Sequence, residues 1–383
     1  MIDRIHNKKV GILGGGQLGR MLAQATVPYA IELHFLDKDP SFPAGEVSGH
    51  FHQGDFKNYD DVLNFGRQMD IITIEIENVN VDALKQLENE GKKVFPQAHV
   101  IESIKDKGLQ KEFYRNQGFS TSEFFLVEDK QEILTRINEG SLNMPFVQKS
   151  RTAGYDGKGV AIIRSEDDYD LLMDTPSVIE LLVDINKELA ITVARNESGD
   201  IITYPVVEMA FNASGNLLDY LLSPADVPED IKDKCEQIAR RLIDALDMVG
   251  ILAVELFYTK DGSIIINEVA PRTHNSGHHT INASNYSQFD VHLRSVCNLP
   301  LRDIQQDNVA IMINLLGEPG YTGDVYYEGF NEIVAMDNVY VHLYGKKMTK
   351  PLRKMGHVTI VASELQMALD KMSTIKSTLK VKA

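Results

Sequence analysis

Cysteine is nearly absent: Cys235 and Cys297 are the only thiols in 383 residues, and their spacing fits neither a metal-ligand motif nor a framework of bridges. Basic charge is also scarce. Thirty-nine Lys and Arg face 55 Asp and Glu, a formal charge of −16 with no Lys/Arg tract. That balance argues against nonspecific nucleic-acid binding, so an anionic substrate requires a local basic site. No apolar run reaches membrane-spanning length, and the opening MIDRIHNKKVGIL enters a strand pattern without a signal-peptide hydrophobic stretch. The expectation is a reduced, cytoplasmic setting with no membrane partner. Repeats and low-complexity segments are lacking too, while the length allows two or three domains with sizeable cores.

Against these absences, one run is dense in chemistry. INEVAPRTHNSGHH, Ile266–His279, sets carboxylate, guanidinium and three imidazoles at the end of a strand pattern, a mixture suited to phosphate and divalent metal. Upstream, ILAVELFY (Ile251–Tyr258) reads as a second strand, and the intervening Asp261-Gly262 is a hairpin signal. A two-residue turn there pairs Lys260 with Ser263 and puts Glu255 opposite Glu268 on one face. Facing like charges are destabilising, so a bound cation between them is one explanation and two solvated strand-end glutamates the other. Hard oxygen ligands suit magnesium.

The first hundred residues alternate strand and helix patterns, as in a parallel, doubly wound α/β domain. GGGQLG, Gly14–Gly19, joins the first strand to its helix with GxGxxG spacing, and Asp37 follows the second strand. Such a loop offers amide donors and a helix dipole to an anion. An NAD site and a purely structural glycine turn both satisfy the pattern. Farther on, PFVQKSRTAGYDGKGVAII, Pro145–Ile163, reads as a strand ending at Lys149, a glycine-rich loop and a returning strand, which is hairpin topology and not a Walker loop. A helix over Glu229–Asp247 carries Ile231, Cys235, Ile238, Leu242 and Leu246 on one stripe, so Cys235 is read as core filler. Near the C-terminus KKMTKPLRKMGH gathers Lys346, Lys347, Lys350, Arg353, Lys354 and His357, either a solvated loop or an anion site.

Taken in order, GILGGGQLGRM, ENV (Glu77–Val79), RTAGYDGKG (Arg151–Gly159), NEVAPRTHNSGHH and GKKMTKPLRKMGH resemble the ATP-grasp enzymes, and more narrowly their N5-carboxyaminoimidazole ribonucleotide synthetase family. The resemblance covers nearly the whole chain. It implies a Rossmann-like N-terminal domain over residues 1–102 and an α+β ATP-grasp domain over 103–300 with a lid at 151–159. A small α+β domain over 301–383 would carry the basic loop.

The implied chemistry is phosphorylation of bicarbonate by ATP to carboxyphosphate, followed by carboxylation of aminoimidazole ribonucleotide, with magnesium but neither NAD nor biotin. Another ATP-grasp ligase or a formate-using transformylase is the alternative within the superfamily. For ATP, the resemblance points to Lys107, Lys149, Gly154, Tyr155, Asp156, Gly157, Lys158, Gly159, Glu180, Leu181, Leu182, Val183, Glu188, Asn267 and Glu268, with Glu255 and Glu268 on the metal. By pattern alone Glu180 and Glu188 pass as surface acids. For the ribonucleotide and bicarbonate it points to Gln17, Leu18, Glu77, Tyr155, Lys158, Arg272, His274, Asn275, Ser276, Lys346, Arg353 and Lys354. Arg272, His274, Asp156 and Lys354 are the expected catalytic groups. Relatives of this size are generally dimers, so a homodimer is expected. Ala153 replaces a frequent lid glycine, and Phe211 stands where a histidine is common.

Overall fold

The computed structural model describes residues 8–152, 159–211 and 218–383. Its N-terminal part is a parallel sheet of β1 (Lys9–Leu13), β2 (Glu32–Asp37), β3 (Phe51–Gln53), β4 (Ile71–Ile74) and β5 (Lys93–Val94) in the order β3-β2-β1-β4-β5. VGIL and IITI lack the apolar–polar alternation of a half-exposed strand because these strands are covered on both faces, and every residue of β4, Thr73 included, is buried. Strand order reverses between β1 and β4, which opens a crevice at their carboxyl ends.

A second, antiparallel sheet contains β6 (Phe124–Val127), β7 (Phe146–Ser150), β8 (Val160–Ile163) and β9 (Ser177–Leu181), ordered β6-β9-β7-β8. β7 and β8 form the expected hairpin, with Lys149 opposite Val160. The third sheet is larger. β15 (Ile264–Ala270), β14 (Gly250–Thr259), β10 (Ile185–Arg195), β12 (Val207–Phe211), β13 (Leu218–Ser223) and β16 (Val309–Leu316) are followed by the strands Lys354–Ala362 and Val339–Leu343, and β11 (Ile201–Thr203) joins β10. Leu221 pairs with Met312, so this sheet runs unbroken from the central region into the C-terminal one. Its inner face packs on the helix Glu229–Ala245 through Ile231, Cys235 and Leu242 against Leu189, Val254 and Ile266.

The β14–β15 hairpin reaches the expected pairing by a different route. Tyr258 pairs with Ile264 and the Thr259 amide donates to the Ser263 carbonyl, so the loop is one residue longer than Asp261-Gly262 alone. A bulge between Ile266 and Glu268 then shifts the register back, and Glu255 does face Glu268. Ile266 and Val269 both lie in the core, so Asn267 and Glu268 together take the opposite face. Without the bulge, Asn267 would oppose Glu255 and Glu268 would turn inward. The neighbouring segment engages the strand just before this point: Ile266 N donates to Ser120 O at 2.8 Å, and Thr121 Oγ1 donates to Ile266 O at 2.8 Å.

Candidate active site between the sheets

Three carboxylates share the face of β10, β14 and β15 that the bulge exposes. Glu255 lies opposite Glu268 and beside Ala190, while Glu188 sits two residues along β10, opposite Phe257. Lys107 approaches them, with Nζ 2.7 Å from Glu268 Oε2. Its position follows from the helix it begins, Lys107–Asn116. The Asp106 carboxylate caps that helix by accepting the Gly108 and Leu109 amides, and grips the Arg151 guanidinium at 2.8 to 3.1 Å. From the smaller sheet, Lys149 donates to Asn267 Oδ1 at 2.9 Å and stands 3.0 Å from Glu180 Oε1. A cation of one sheet thus meets the bulge of the other.

The electrostatics divide these acids. Burial, then the adjacent charges of Glu268 and Glu188, push Glu255 up to about 8. Burial also raises Glu188 to about 7 despite Lys149. On Glu268 burial acts upward as well, but Lys107 and then Lys149 outweigh it and hold the carboxyl down at about 2. Glu255 therefore favours its protonated form near neutrality, because Lys107 and Lys149 supply less positive charge than the buried carboxylates need. A divalent ion would supply that charge, and the oxygen donors at hand suit a hard cation.

Glu180 is not a surface acid. It is 4 % exposed, and Ser122 Oγ, Lys149 and Lys111 surround its two oxygens, Lys111 at 3.2 Å. Its position explains the burial: Glu180 is in β9, between β6 and β7, where Phe124 and Val147 flank it. Lys111 escaped sequence reasoning altogether. Its ammonium, 2 % exposed, donates to Thr121 Oγ1 at 2.6 Å and Ser122 Oγ at 2.9 Å. Burial draws it down to about 8 even though Glu180 acts in the opposite sense. Only its place one helical turn after Lys107 hinted at an inward face. Downstream, the Leu181 amide donates to Glu123 O, and exposed Leu182 and neighbouring Val183 lead from β9 toward β10.

A second group of residues lies where β15 leads toward the N-terminal crevice. Arg272 forms an ion pair with Glu77 at 2.9 Å, linking the end of β15 to the segment after β4. His274 Nε2 is 3.9 Å from Glu255 Oε1, and its Nδ1 meets Ser276 Oγ at 3.0 Å. Asn275 is half-buried and Ser276 buried. His278 is buried, hydrogen-bonded to Gln288 and packed against His357 and Tyr344.

The glycine loop uses several of its own donors. Glu75 Oε1 accepts the Gly16 amide at 2.7 Å and Oε2 the Gly19 amide at 2.6 Å, while Asp37 accepts the amides of Gly15 and Lys38. Asp37 therefore anchors the loop internally. The glycines are sterically necessary here: a Cβ at Gly14, which has φ +109°, would meet Glu75 Cγ at 2.4 Å. Burial raises the Glu75 carboxyl while those two amides pull against the rise. Gln17 and Leu18 begin the helix Gln17–Thr26 beside these filled donors.

The basic loop comes against the same helix, since Gly345 abuts Arg20 and Glu46 bridges Arg20 at 3.2 Å and Lys347 at 3.6 Å. Lys346 donates to the Lys354 carbonyl and Arg353 to the Met348 carbonyl. Glu75 and Arg20 had no distinguishing sequence signal beyond lying in or beside motifs. Gly154, Tyr155, Asp156, Gly157 and Lys158 lie outside the described residues, as does Ala153. Gly159 O accepts the Ser150 amide at the base of their hairpin.

Residues 7–105 match the ribonucleotide synthetase preATP-grasp domain, 112–289 the ATP-grasp domain and 310–371 the phosphoribosylaminoimidazole carboxylase C-terminal domain. The chain is 37% identical over 374 residues to phosphoribosylaminoimidazole carboxylase of Saccharomyces cerevisiae, covering 94% of this chain but only 64% of that protein's length. Among solved structures, N5-carboxyaminoimidazole ribonucleotide synthetase from Thermotoga maritima superposes with a TM-score of 0.90 at 39% identity, covering 98% of this chain and 99% of that one. N5-carboxyaminoimidazole synthase from Aspergillus clavatus, in complex with ADP and 5-aminoimidazole ribonucleotide, gives a TM-score of 0.87 at 32% identity over 97% of this chain and 98% of that one.

Proposed function

Because the chain belongs to the N5-carboxyaminoimidazole ribonucleotide synthetase family of ATP-grasp proteins, we propose that it carboxylates 5-aminoimidazole ribonucleotide with bicarbonate at the expense of ATP, in purine biosynthesis. The observation carrying this reading is the convergence of Lys107, Lys149, Asn267, Glu255 and Glu268 between two sheets, contiguous through Arg272 with the crevice of the N-terminal sheet. A bicarbonate oxygen attacks the terminal phosphorus of ATP; its bond to the bridging oxygen breaks, ADP leaves, and carboxyphosphate forms. The exocyclic amine of the ribonucleotide then attacks the carboxyl carbon, expels phosphate and loses a proton.

Lys107 and Lys149 balance phosphate charge, and Arg272 orients bicarbonate with its fork of donors. Glu188 accepts the ribose hydroxyls of ATP, and the backbone of Glu180, Leu181, Leu182 and Val183 meets adenine. By the family resemblance Gly154, Tyr155, Asp156, Gly157, Lys158 and Gly159 serve to keep water from carboxyphosphate. Glu255 and Glu268 would hold Mg2+, which when bound would supply positive charge to offset that of the phosphates.

The ribonucleotide phosphate is received by Gln17 and Leu18 with Lys346, Arg353 and Lys354, its sugar by Glu77, and its amine faces His274, Asn275 and Ser276. Asp156 or His274 takes the amine proton. The domains are proposed as 1–102, 103–300 and 301–383, the assembly as a homodimer and the compartment as the cytoplasm. No helix among the described residues is long and apolar enough to cross a membrane. The test is ADP release from ATP, magnesium and bicarbonate with and without aminoimidazole ribonucleotide. Release that requires the ribonucleotide supports the proposal; equal release with formate and glycinamide ribonucleotide instead would redirect it to a transformylase.

A further inference from the structure

Outside the active site, β2 and β3 bring three imidazoles and a carboxylate onto one face of the N-terminal sheet. Glu32 and His34 are two apart on β2, while His50 and His52 flank Phe51 at the start of β3. Alternation explains the segregation. Leu33, Phe35 and Phe51 turn into the core, so the residues between them share the other face. The register is pinned by Phe35 N donating to His50 O and by Leu36 facing His52.

His34 is the hub. Its Nε2 lies 2.7 Å from Glu32 Oε1 and its Nδ1 3.0 Å from His52 Nε2, while the His50 ring stacks on it with centroids 4.6 Å apart. His50 Nε2 is 3.8 Å from the same Glu32 oxygen. Among the described residues, Glu32, His34 and His50 bring ligand atoms within 4.8 Å of one another.

We propose that Glu32, His34 and His50 bind a divalent first-row transition metal of the zinc class, with His52 as the outer partner that orients His34. The donor set is two imidazole nitrogens and one carboxylate oxygen, the combination found in three-ligand zinc sites with an open fourth position. Zinc bonds of about 2.0 to 2.1 Å in a tetrahedron place ligand atoms about 3.3 Å apart. Glu32 Oε1 and His34 Nε2 would separate slightly from 2.7 Å as the shared proton leaves, and the exposed His50 ring would rotate out of its stack on His34 as its Nε2 closes on Glu32 Oε1 from 3.8 Å, so that both in-plane lone pairs meet the ion.

The second nitrogen of His34 is already engaged by His52, so metal on Nε2 leaves Nδ1–H to donate to His52 Nε2. Entry is open, since the His50 side chain is 50% exposed against 8% for His34. An ion here would clamp edge strand β3 to β2, and the Phe51 ring between the two histidines abuts Gly15 of the glycine loop.

The test is a Zn2+ titration of the metal-stripped full chain against a chromophoric chelator, alongside Co2+ absorption spectra. The parent should bind one equivalent that His50→Ala lacks and should give the intense visible bands of tetrahedral Co2+. His34→Gln should behave like His50→Ala, and His52→Phe should weaken zinc by about 10- to 100-fold, the usual effect of losing an outer partner. Zinc should raise the unfolding temperature of the parent but not of His50→Ala, which covers the case of a poorly folded His34 variant. Glu268→Gln serves as the control and should keep the equivalent. Zinc affinity in His50→Ala within twofold of the parent, or an equivalent lost in Glu268→Gln instead, would overturn the assignment.

Discussion

Replacing Lys111 by methionine removes one of two cations from a carboxylate with almost no access to water. The Lys111 and Glu180 side chains are 2% and 5% exposed and their charges lie 3.2 Å apart. At an effective dielectric of about 20, that separation corresponds to an attraction of about 5 kcal/mol, against which stands the desolvation of both ions. Breaking a buried pair by removing one partner costs about 3 to 5 kcal/mol, and the Glu180 carboxyl is held at about 2, against its burial, by Lys149 first and then by Lys111 and Ser122, while burial draws Lys111 itself down to about 8. Lys149 remains at 3.0 Å in the variant, so the lower figure is the better expectation, and Lys111→Met should cost about 3 kcal/mol.

Two consequences separate this account from simple loss of packing. Glu180→Leu combined with Lys111→Met should cost less than the sum of the single variants, by at least about 1 kcal/mol, because the double variant leaves no carboxylate short of a partner. Lys149, drawn wholly to Glu180 in Lys111→Met, should also release its hydrogen bond to Asn267 and raise KM for ATP more than it lowers kcat. Urea midpoints of the four proteins, read at pH 7, measure the cycle. Costs below about 1 kcal/mol for Lys111→Met, or strict additivity, would refute the buried-triad reasoning. The acid limb has a definite sign. The folded value of Glu180 lies below its ordinary one, so its contribution is present above pH 4.5 and is lost as pH falls toward 2.

Other outcomes follow from the carboxylate face and the basic loop. Glu268→Gln should abolish ADP release with the circular dichroism spectrum unchanged; near-normal turnover would remove it from the metal site. Glu255 has a folded value of about 8 above an ordinary 4.5, so its contribution is present below pH 4.5 and is lost as pH rises through 8. Without nucleotide, Glu255→Gln should therefore gain unfolding temperature over the parent at pH 8.5 and not at pH 5; parallel profiles would contradict the buried-acid account. Lys354→Ala should chiefly raise KM for the ribonucleotide, and a change confined to ATP would dissociate the loop from the phosphate.

Local pattern carried the parallel sheet, the β7–β8 hairpin and the burial of Cys235, because strand period, glycine turns and helical stripes are properties of neighbouring residues. It also led to Glu255 facing Glu268, though through a turn one residue too short and without the bulge at Asn267 that compensates. Bulges depend on what the other edge of a strand meets, here Ser120 and Thr121, and no count along one hairpin contains that. Glu180 and Lys111 show the limit most clearly. Each is an ordinary charged residue by sequence, and burial between strands from distant segments alone makes them a charged core.

The sequence by itself determined which residues could do chemistry and in what order they come, since composition and spacing are fixed covalently. Tertiary structure decided which charges meet. Glu75 satisfying the glycine loop, Arg272 reaching Glu77, and the histidines of β2 and β3 stacking on one face all join residues far apart along the chain or on separate strands. Their electrostatics rest on desolvation and on distances of a few ångströms, which strand pairing and burial create and linear spacing does not encode.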